Sequence, residues 1–97
     1  MTGEEALGFE RRELIDSGWS TNFVATKYGE GEMLAAAQCY ITLARRQEDG
    51  KGEVGHDAPR GWPLHLDWNP SVLPKNNILK AMALLSWEWD RLHATGG

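Results

Sequence analysis

Aromatic and basic side chains alternate in the less apolar parts of this 97-residue chain. An aromatic face stacks on a flat ring such as a nucleobase, and a nearby Lys or Arg pairs with a phosphate. The same residue types form the energetic centres of protein interfaces, and a single Trp in a small domain is most often part of the core. The residues that combine these features, taken here as candidate ligand-binding residues, are Trp19, Lys27, Tyr28, Arg60, Trp62 and Trp68.

Glu10 and Glu13 are the acidic pair best spaced for metal-dependent chemistry. Their Glu-x-x-Glu spacing occurs on a predicted helix, as in the all-α nucleotide pyrophosphohydrolases, where carboxylates from two helices hold Mg²⁺ against a triphosphate. The second acidic pair is missing, because Glu88 and Asp90 lie two residues apart and point in different directions on a helix. Solvated helix charges are therefore the favoured interpretation of Glu10 and Glu13.

Histidine and cysteine also offer no catalytic or metal-binding pattern. His56, His65 and His93 form no i, i+4 pair on a helix, and Cys39 lies in an alanine-rich segment expected to be buried. No glycine-rich phosphate loop and no Gly-x-Ser-x-Gly turn occurs in the chain. The sequence therefore predicts no catalytic residue, no metal ligand and no cofactor, and it favours a binding protein over an enzyme.

Three helices are predicted to position these residues, at 3–17, 31–46 and 76–94. Thr2 and Glu5 have the spacing of a capping box at the first helix, and Gly18 is placed to end it in a left-handed conformation. Strong helix formers fill the second, and Asn76 or Asn77 is the predicted N-cap of the third.

The last helix has two apolar faces. Ile78, Met82, Leu85, Trp89 and Leu92 recur at helical spacing, and this stripe is the predicted core face. On the second face, Leu84, Trp87 and Arg91 are the candidate interface residues, to be covered by another part of the chain or by a second copy.

The segments between the helices differ in composition. Residues 18–30 are predicted to form a structured loop, residues 47–61 a flexible glycine-rich loop, and residues 62–74 an ordered strap containing Trp and Pro. The whole chain, residues 1–97, is therefore expected to be a single all-α domain: a small bundle of three helices with a long loop and a strap.

Charge and hydropathy narrow the possible partners. Ten basic residues against 14 acidic ones give a net charge of −4, so a basic nucleic-acid-binding surface is not expected. No apolar run approaches the length of about 20 residues that spans a bilayer, and the amino terminus lacks the pattern of a signal peptide. A single cysteine excludes an internal disulfide and suits a reducing cytoplasm. We expect a soluble protein.

Several short motifs occur along the chain in a specific order: Glu10-Arg-Arg, Gly18-Trp19, Lys27-Tyr28, Gly31-Glu32-Met33, Ala35-Ala36-Ala37-Gln-Cys39-Tyr40, Trp62-Pro63, Lys80-Ala81-Met-Ala83-Leu84-Leu85 and Arg91-Leu92. This order resembles that of a family of small proteins encoded by tailed bacteriophages and prophages. Phe23-Val24-Ala25-Thr26 stands where family members usually have an Asp-Asp pair, and Leu64 replaces the last residue of Trp-Pro-Trp. The resemblance implies a phage accessory protein in the cytoplasm of the bacterial host, and it brings no settled activity.

Three hypotheses of function follow from the residues and the resemblance. The first is stoichiometric binding of a nucleotide-like signal of host defence, by a protein that forms a homo-oligomer. The second is direct inhibition of a host defence complex, as by an anti-CRISPR protein. The third is a magnesium-dependent nucleotide pyrophosphohydrolase, in which Glu10→Gln or Glu13→Gln would abolish turnover.

Overall fold

The computed structural model describes residues 1–28, 31–52, 54–55, 57–63 and 68–94. It contains four α-helices: α1 (Gly3–Asp16), α2 (Thr21–Lys27), α3 (Glu32–Glu48) and α4 (Pro74–Ala94). Across these residues there is no β-strand, which confirms the prediction of a small all-α bundle. The helix α2 is a correction, because residues 18–30 were predicted to be a loop. Its N-cap is Ser20, whose hydroxyl accepts a hydrogen bond from the backbone N–H of Phe23 at 3.1 Å.

The ends of α1 agree with the sequence prediction. Thr2 and Glu5 form the capping box in both directions. At the other end Gly18 has a φ of 104°, and the N–H of Trp19 donates to the carbonyl of Leu14 at 3.0 Å. This is the hydrogen bond of a Schellman motif, so the end of α1 sets the position of Trp19.

Helices α3 and α4 form an antiparallel pair at the centre of the molecule, and a polar network joins the end of α3 to the start of α4. The amide of Asn77 donates to Gln47 Oε1 and to the carbonyl of Ser71, both at 2.8 Å. The Gln47 amide donates to the same carbonyl at 2.9 Å, and the Ser71 N–H donates to Asn77 Oδ1 at 2.9 Å. Asn77 is completely buried.

Helix α4 begins earlier than predicted. Its first residue is Pro74, and neither Asn76 nor Asn77 is the N-cap. Proline is favoured at the first helical position, where its missing N–H costs no helix hydrogen bond. The prediction failed because Asn77 has the residue type of a cap but uses its amide in a tertiary contact.

The two faces of α4 are reversed relative to the prediction. The expected core stripe is largely exposed, with Trp89 at 65% and Ile78 at 45%, whereas Trp87 is only 2% exposed. Leu84 is also buried, and Arg91 pairs with the buried Glu88 of the same helix. The residues expected at an interface, Leu84, Trp87 and Arg91, are therefore covered within the chain itself.

The cover over Trp87 comes from α1, α2 and the turn between them. The ring of Trp19 lies 5.9 Å from that of Trp87, and the guanidinium of Arg11 lies 4.2 Å above it. Arg11 also pairs with Asp90 at 2.6 Å. Helix α1 itself has no buried residue, so these contacts are an important part of its attachment to α4.

The connection between α3 and α4 follows the prediction in part. Helix α3 runs two residues further than expected, to Glu48, and Lys51 N–H then donates to the carbonyl of Arg46 at 2.9 Å. Trp62 is buried, and the N–H of Asn69 donates to the hydroxyl of Tyr40 at 3.1 Å. Within the predicted loop and strap, residues 53, 56 and 64–67 lie outside the described residues.

No helix in the part of the chain that the structure describes has the length and apolarity needed to span a bilayer.

Candidate functional site

Four of the six candidate ligand-binding residues line one cavity of about 440 Å³, which we call the Trp19 cavity. Its volume lies within the usual range of small-molecule sites. The end of α1, the end of α2 and the middles of α3 and α4 all contribute to its wall. The lining residues are Glu10, Leu14, Trp19, Lys27, Tyr28, Tyr40, Trp62, Asn69, Lys80, Ala83 and Leu84.

Aromatic rings form two groups at this cavity. On one side the ring of Trp19 lies 5.6 Å from those of Phe23 and Tyr28. On the other side Tyr40 meets Trp62 edge to face at 5.5 Å. Tyr28, Tyr40 and Trp62 are buried, whereas Trp19 is only half-buried. Trp19 is therefore the aromatic side chain of this cavity most available for stacking on a ligand.

Among its described lining residues, the Trp19 cavity carries a small excess of positive charge. Lys27 is exposed at the end of α2, and Lys80 is half-buried on α4. Among the described residues, neither lysine has a carboxylate within ion-pair distance, although Glu10 also lines the cavity. A smaller cavity of about 360 Å³ shares Glu10, Asn69 and Lys80 with it, so the basic side chain of Lys80 faces space on two sides. The arrangement suits a flat, anionic ligand.

Tyr40 ties the walls of the cavity to the connection between α3 and α4. Its hydroxyl accepts the hydrogen bond from Asn69, and its ring stacks on Trp68 at 4.9 Å and 28°. Burial raises the pKa of Tyr40 above its usual value of 10.0, against the opposing effect of that hydrogen bond. Tyr40 is therefore a neutral phenol at physiological pH.

The other two candidate residues, Arg60 and Trp68, do not reach the Trp19 cavity. They line a second cavity of about 460 Å³ between α3 and residues 55 and 57–61, which we call the Arg60 cavity. Trp62 and Trp68 lie next to each other, 4.9 Å apart, with Trp62 facing the first cavity and Trp68 facing the second. The structure thus places the predicted ligand-binding residues around two separate cavities.

The residues considered for catalysis have different surroundings. Glu10 lines the Trp19 cavity, whereas Glu13 is exposed on α1. Within the described ranges no three His, Cys, Asp or Glu side chains are grouped to hold a metal ion. His93 is exposed and lies against Trp89, with their ring centres 4.4 Å apart. His56 and His65 lie outside the described residues.

Cys39 is half-buried in the wall of the Arg60 cavity. Burial raises the pKa of its thiol above the usual value of 9.0, so the reactive thiolate is a minor form near neutral pH.

The members of the Trp19 cavity that sequence reasoning missed include Tyr40 and Lys80. Both lie in predicted helices. From the sequence, Tyr40 is expected to be a core residue and Lys80 a solvent-exposed charge. Only the tertiary structure identifies them, because it places them in the same cavity wall as Trp62 and Trp19. The spacing of residues along the chain does not show this proximity.

The comparisons with known protein families, with curated proteins and with solved structures give no match to this chain.

Proposed function

We propose that this protein binds a nucleotide-like small molecule in the Trp19 cavity and acts by holding it rather than by converting it. The observation that carries the proposal is the convergence of Trp19, Tyr28 and Trp62 with Lys27 and Lys80 around one cavity. The half-buried face of Trp19 suits a nucleobase. The two ammonium groups suit its phosphates, because a charge-assisted hydrogen bond to phosphate is among the stronger polar contacts.

The biological setting in this proposal comes from the phage-like motifs. A phage accessory protein in the cytoplasm of the bacterial host would remove a nucleotide-like signal of host defence by stoichiometric binding. Self-association remains part of the proposal, and it is tested by the experiment that tests ligand binding.

Native mass spectrometry of the protein, purified gently from bacterial cells, tests this function directly. We expect a species that carries additional mass of nucleotide size, and the same spectrum reports the number of subunits. Lys27→Gln and Lys80→Gln should lose the retained mass, because each removes a cation from the cavity. Lys75→Gln is the matched control, since Lys75 is an exposed lysine of α4 that does not line the cavity, and it should retain the mass.

A titration with two defined probes tests the role of the cations. Adenosine monophosphate should bind more tightly than adenosine, and Lys27→Gln should weaken only the binding of the phosphorylated probe, by about tenfold. Equal affinities for the two probes in the unmodified protein would contradict the proposed phosphate contact. An equal effect of Lys75→Gln would show general electrostatic attraction instead of a site.

A protein target is the second candidate, and it is favoured by the apolar stripe that α4 leaves exposed. Trp89, Ile78 and Leu85 are each more than 40% exposed on this helix. Such a surface is typical of a protein contact when it is continuous. A ligand-free spectrum together with no binding of either probe would favour this candidate, an inhibitor that acts on a host defence complex.

A further inference from the structure

The smaller cavity that adjoins the Trp19 cavity, which we call the Asn76 cavity, differs from it in chemical character. Its volume is about 360 Å³, within the range of small-molecule sites. Three of its lining residues, Glu10, Asn69 and Lys80, also line the Trp19 cavity. The two cavities therefore meet at these residues, and one ligand of sufficient length can occupy both.

Helix α4 gives the direction from one cavity to the other. Asn76, Lys80 and Leu84 follow one another at intervals of four residues, so they lie on one side of the helix and about 6 Å apart along its axis. Asn76 lines only the smaller cavity, Leu84 lines only the Trp19 cavity, and Lys80 lines both. The cavities are therefore consecutive along α4, with Lys80 at their boundary.

The described lining of the Asn76 cavity contains polar groups and no aromatic ring. Glu10 and Lys80 are half-buried, and within the described part of the chain neither forms an ion pair. Asn76 and Ser71 add an amide and a hydroxyl, and the amide nitrogen lies 3.2 Å from the hydroxyl oxygen. The two oxygens of a carboxylate accept hydrogen bonds, and an amide both donates and accepts them. Such groups suit a ligand that is rich in hydroxyls.

The same lining is unsuited to a second base or to a further phosphate. A second base would find no aromatic face among the described residues, and the charges of Glu10 and Lys80 cancel, so an additional anion gains little. A neutral group with several hydroxyls uses the carboxylate, the amide and the hydroxyl together. A sugar has this chemistry.

The next step rests on the proposed function, in which the base stacks on Trp19 and the phosphates lie near Lys27 and Lys80. A group joined to the far side of those phosphates lies beyond Lys80, in the Asn76 cavity. We propose that the ligand is a nucleotide sugar, a nucleoside diphosphate whose terminal phosphate carries a sugar. Glu10 and Asn76 bind the hydroxyl groups of that sugar.

The test is calorimetric titration of the full-length protein with ADP and with ADP-glucose, which differ only in the glucosyl group. ADP-glucose should bind about tenfold more tightly, because its sugar fills the Asn76 cavity. ADP carries the larger negative charge, so attraction to the two lysines alone would produce the opposite order.

Glu10→Gln separates the sugar from the phosphates. It should weaken the binding of ADP-glucose by about tenfold, because an amide has one acceptor oxygen where the carboxylate has two. It should not weaken the binding of ADP, because it removes a negative charge beside the phosphates. Glu13→Gln is the matched control, since Glu13 is an exposed glutamate of the same helix that lines neither cavity. Asn76→Ala should also weaken the binding of ADP-glucose and leave that of ADP unchanged.

Four results would count against the proposal. ADP binding as tightly as ADP-glucose, or more tightly, would overturn the assignment of the sugar and leave the nucleotide site standing. Equal losses for the two ligands in Glu10→Gln, or an equal loss in Glu13→Gln, would overturn the placement of the sugar beside Glu10. No binding of either ligand would overturn the nucleotide proposal and this inference with it, so the two failures are distinguishable.

Discussion

Asn77 shows how a single polar side chain joins two helices. Its amide N–H groups point at two acceptors, Gln47 Oε1 and the carbonyl of Ser71, and its own oxygen accepts from the N–H of Ser71. Every part of the side chain is therefore satisfied although it is completely buried. This arrangement matters mainly because disturbing it is costly. Leaving a buried polar group without a partner lowers the stability of the fold by more than one hydrogen bond raises it.

Asn77→Asp should lower the free energy of unfolding by about 3 kcal/mol, because the carboxylate has no N–H and faces two acceptor oxygens in a buried site. Urea denaturation measures this loss. Asn76→Asp is the matched control, since Asn76 is half-buried and its amide donates to the hydroxyl of Ser71, which is able to donate in return. It should change stability by about 0.5 kcal/mol or less. Similar losses in the two variants would contradict the proposed role of the network.

At the scale of the element, α4 has two apolar faces, and the packing of the molecule uses one of them. The buried face carries the small residues Ala81 and Ala83 beside Leu84 and Trp87. Small side chains allow a neighbouring helix to approach closely, and Ala36 and Ala37 of α3 belong to the same buried cluster as Ala81. The stripe of larger residues, which was expected to face the core, lies on the opposite side.

This reversal predicts very different effects for two neighbouring tryptophans. Trp87→Ala should reduce the free energy of unfolding by about 3–5 kcal/mol, because it leaves a cavity among Trp19, Arg11 and the core. Trp89→Ala should change it by only about 0.5 kcal/mol, since its ring is mostly in water. Urea denaturation of both variants at low protein concentration measures the difference. A large, concentration-dependent loss in Trp89→Ala would indicate instead that another copy of the chain covers this face.

At the scale of the whole molecule, the buried hydroxyl of Tyr40 and the half-buried thiol of Cys39 make the stability of the fold depend on alkaline pH. Burial raises the pKa values of the Cys39 thiol and the Tyr40 hydroxyl above the usual 9.0 and 10.0. The unfolded chain therefore loses these protons at a lower pH than the folded chain does. For each group, at pH values between its pKa in the unfolded chain and its pKa in the folded chain, the folded state binds more protons. The stability of the folded state therefore falls as the pH rises through this interval.

We expect the free energy of unfolding to be insensitive to these two groups near pH 7 and to fall as the pH rises beyond the usual pKa values of 9.0 for Cys39 and 10.0 for Tyr40. Urea denaturation at a series of pH values measures this decline. Tyr40→Phe should be less stable at neutral pH, because Asn69 loses its acceptor, and its decline above pH 10.0 should be shallower. Parallel declines in the two proteins would show that Tyr40 does not contribute to it.

Local signals in the sequence determined three of the four helices that the structure describes, and several of their ends. The capping box at Thr2 and Glu5 and the left-handed Gly18 formed as predicted, because each depends on hydrogen bonds within a few residues. The helix-forming composition after Glu32 also predicted α3 to within two residues. The helix α2 was missed because seven residues are too few to show a clear apolar period.

The tertiary structure decided which face of α4 is buried and how the candidate ligand-binding residues are grouped. Both faces of α4 are apolar, so periodicity does not distinguish them, and the choice depends on which side fits α3 and the ring of Trp19. The six aromatic and basic residues that were selected by type line two different cavities. The neighbouring rings of Trp62 and Trp68 stand between these cavities, and each ring lines one of them. Residue type is a local property that the sequence states directly, whereas packing and cavity shape depend on contacts between residues far apart in the chain.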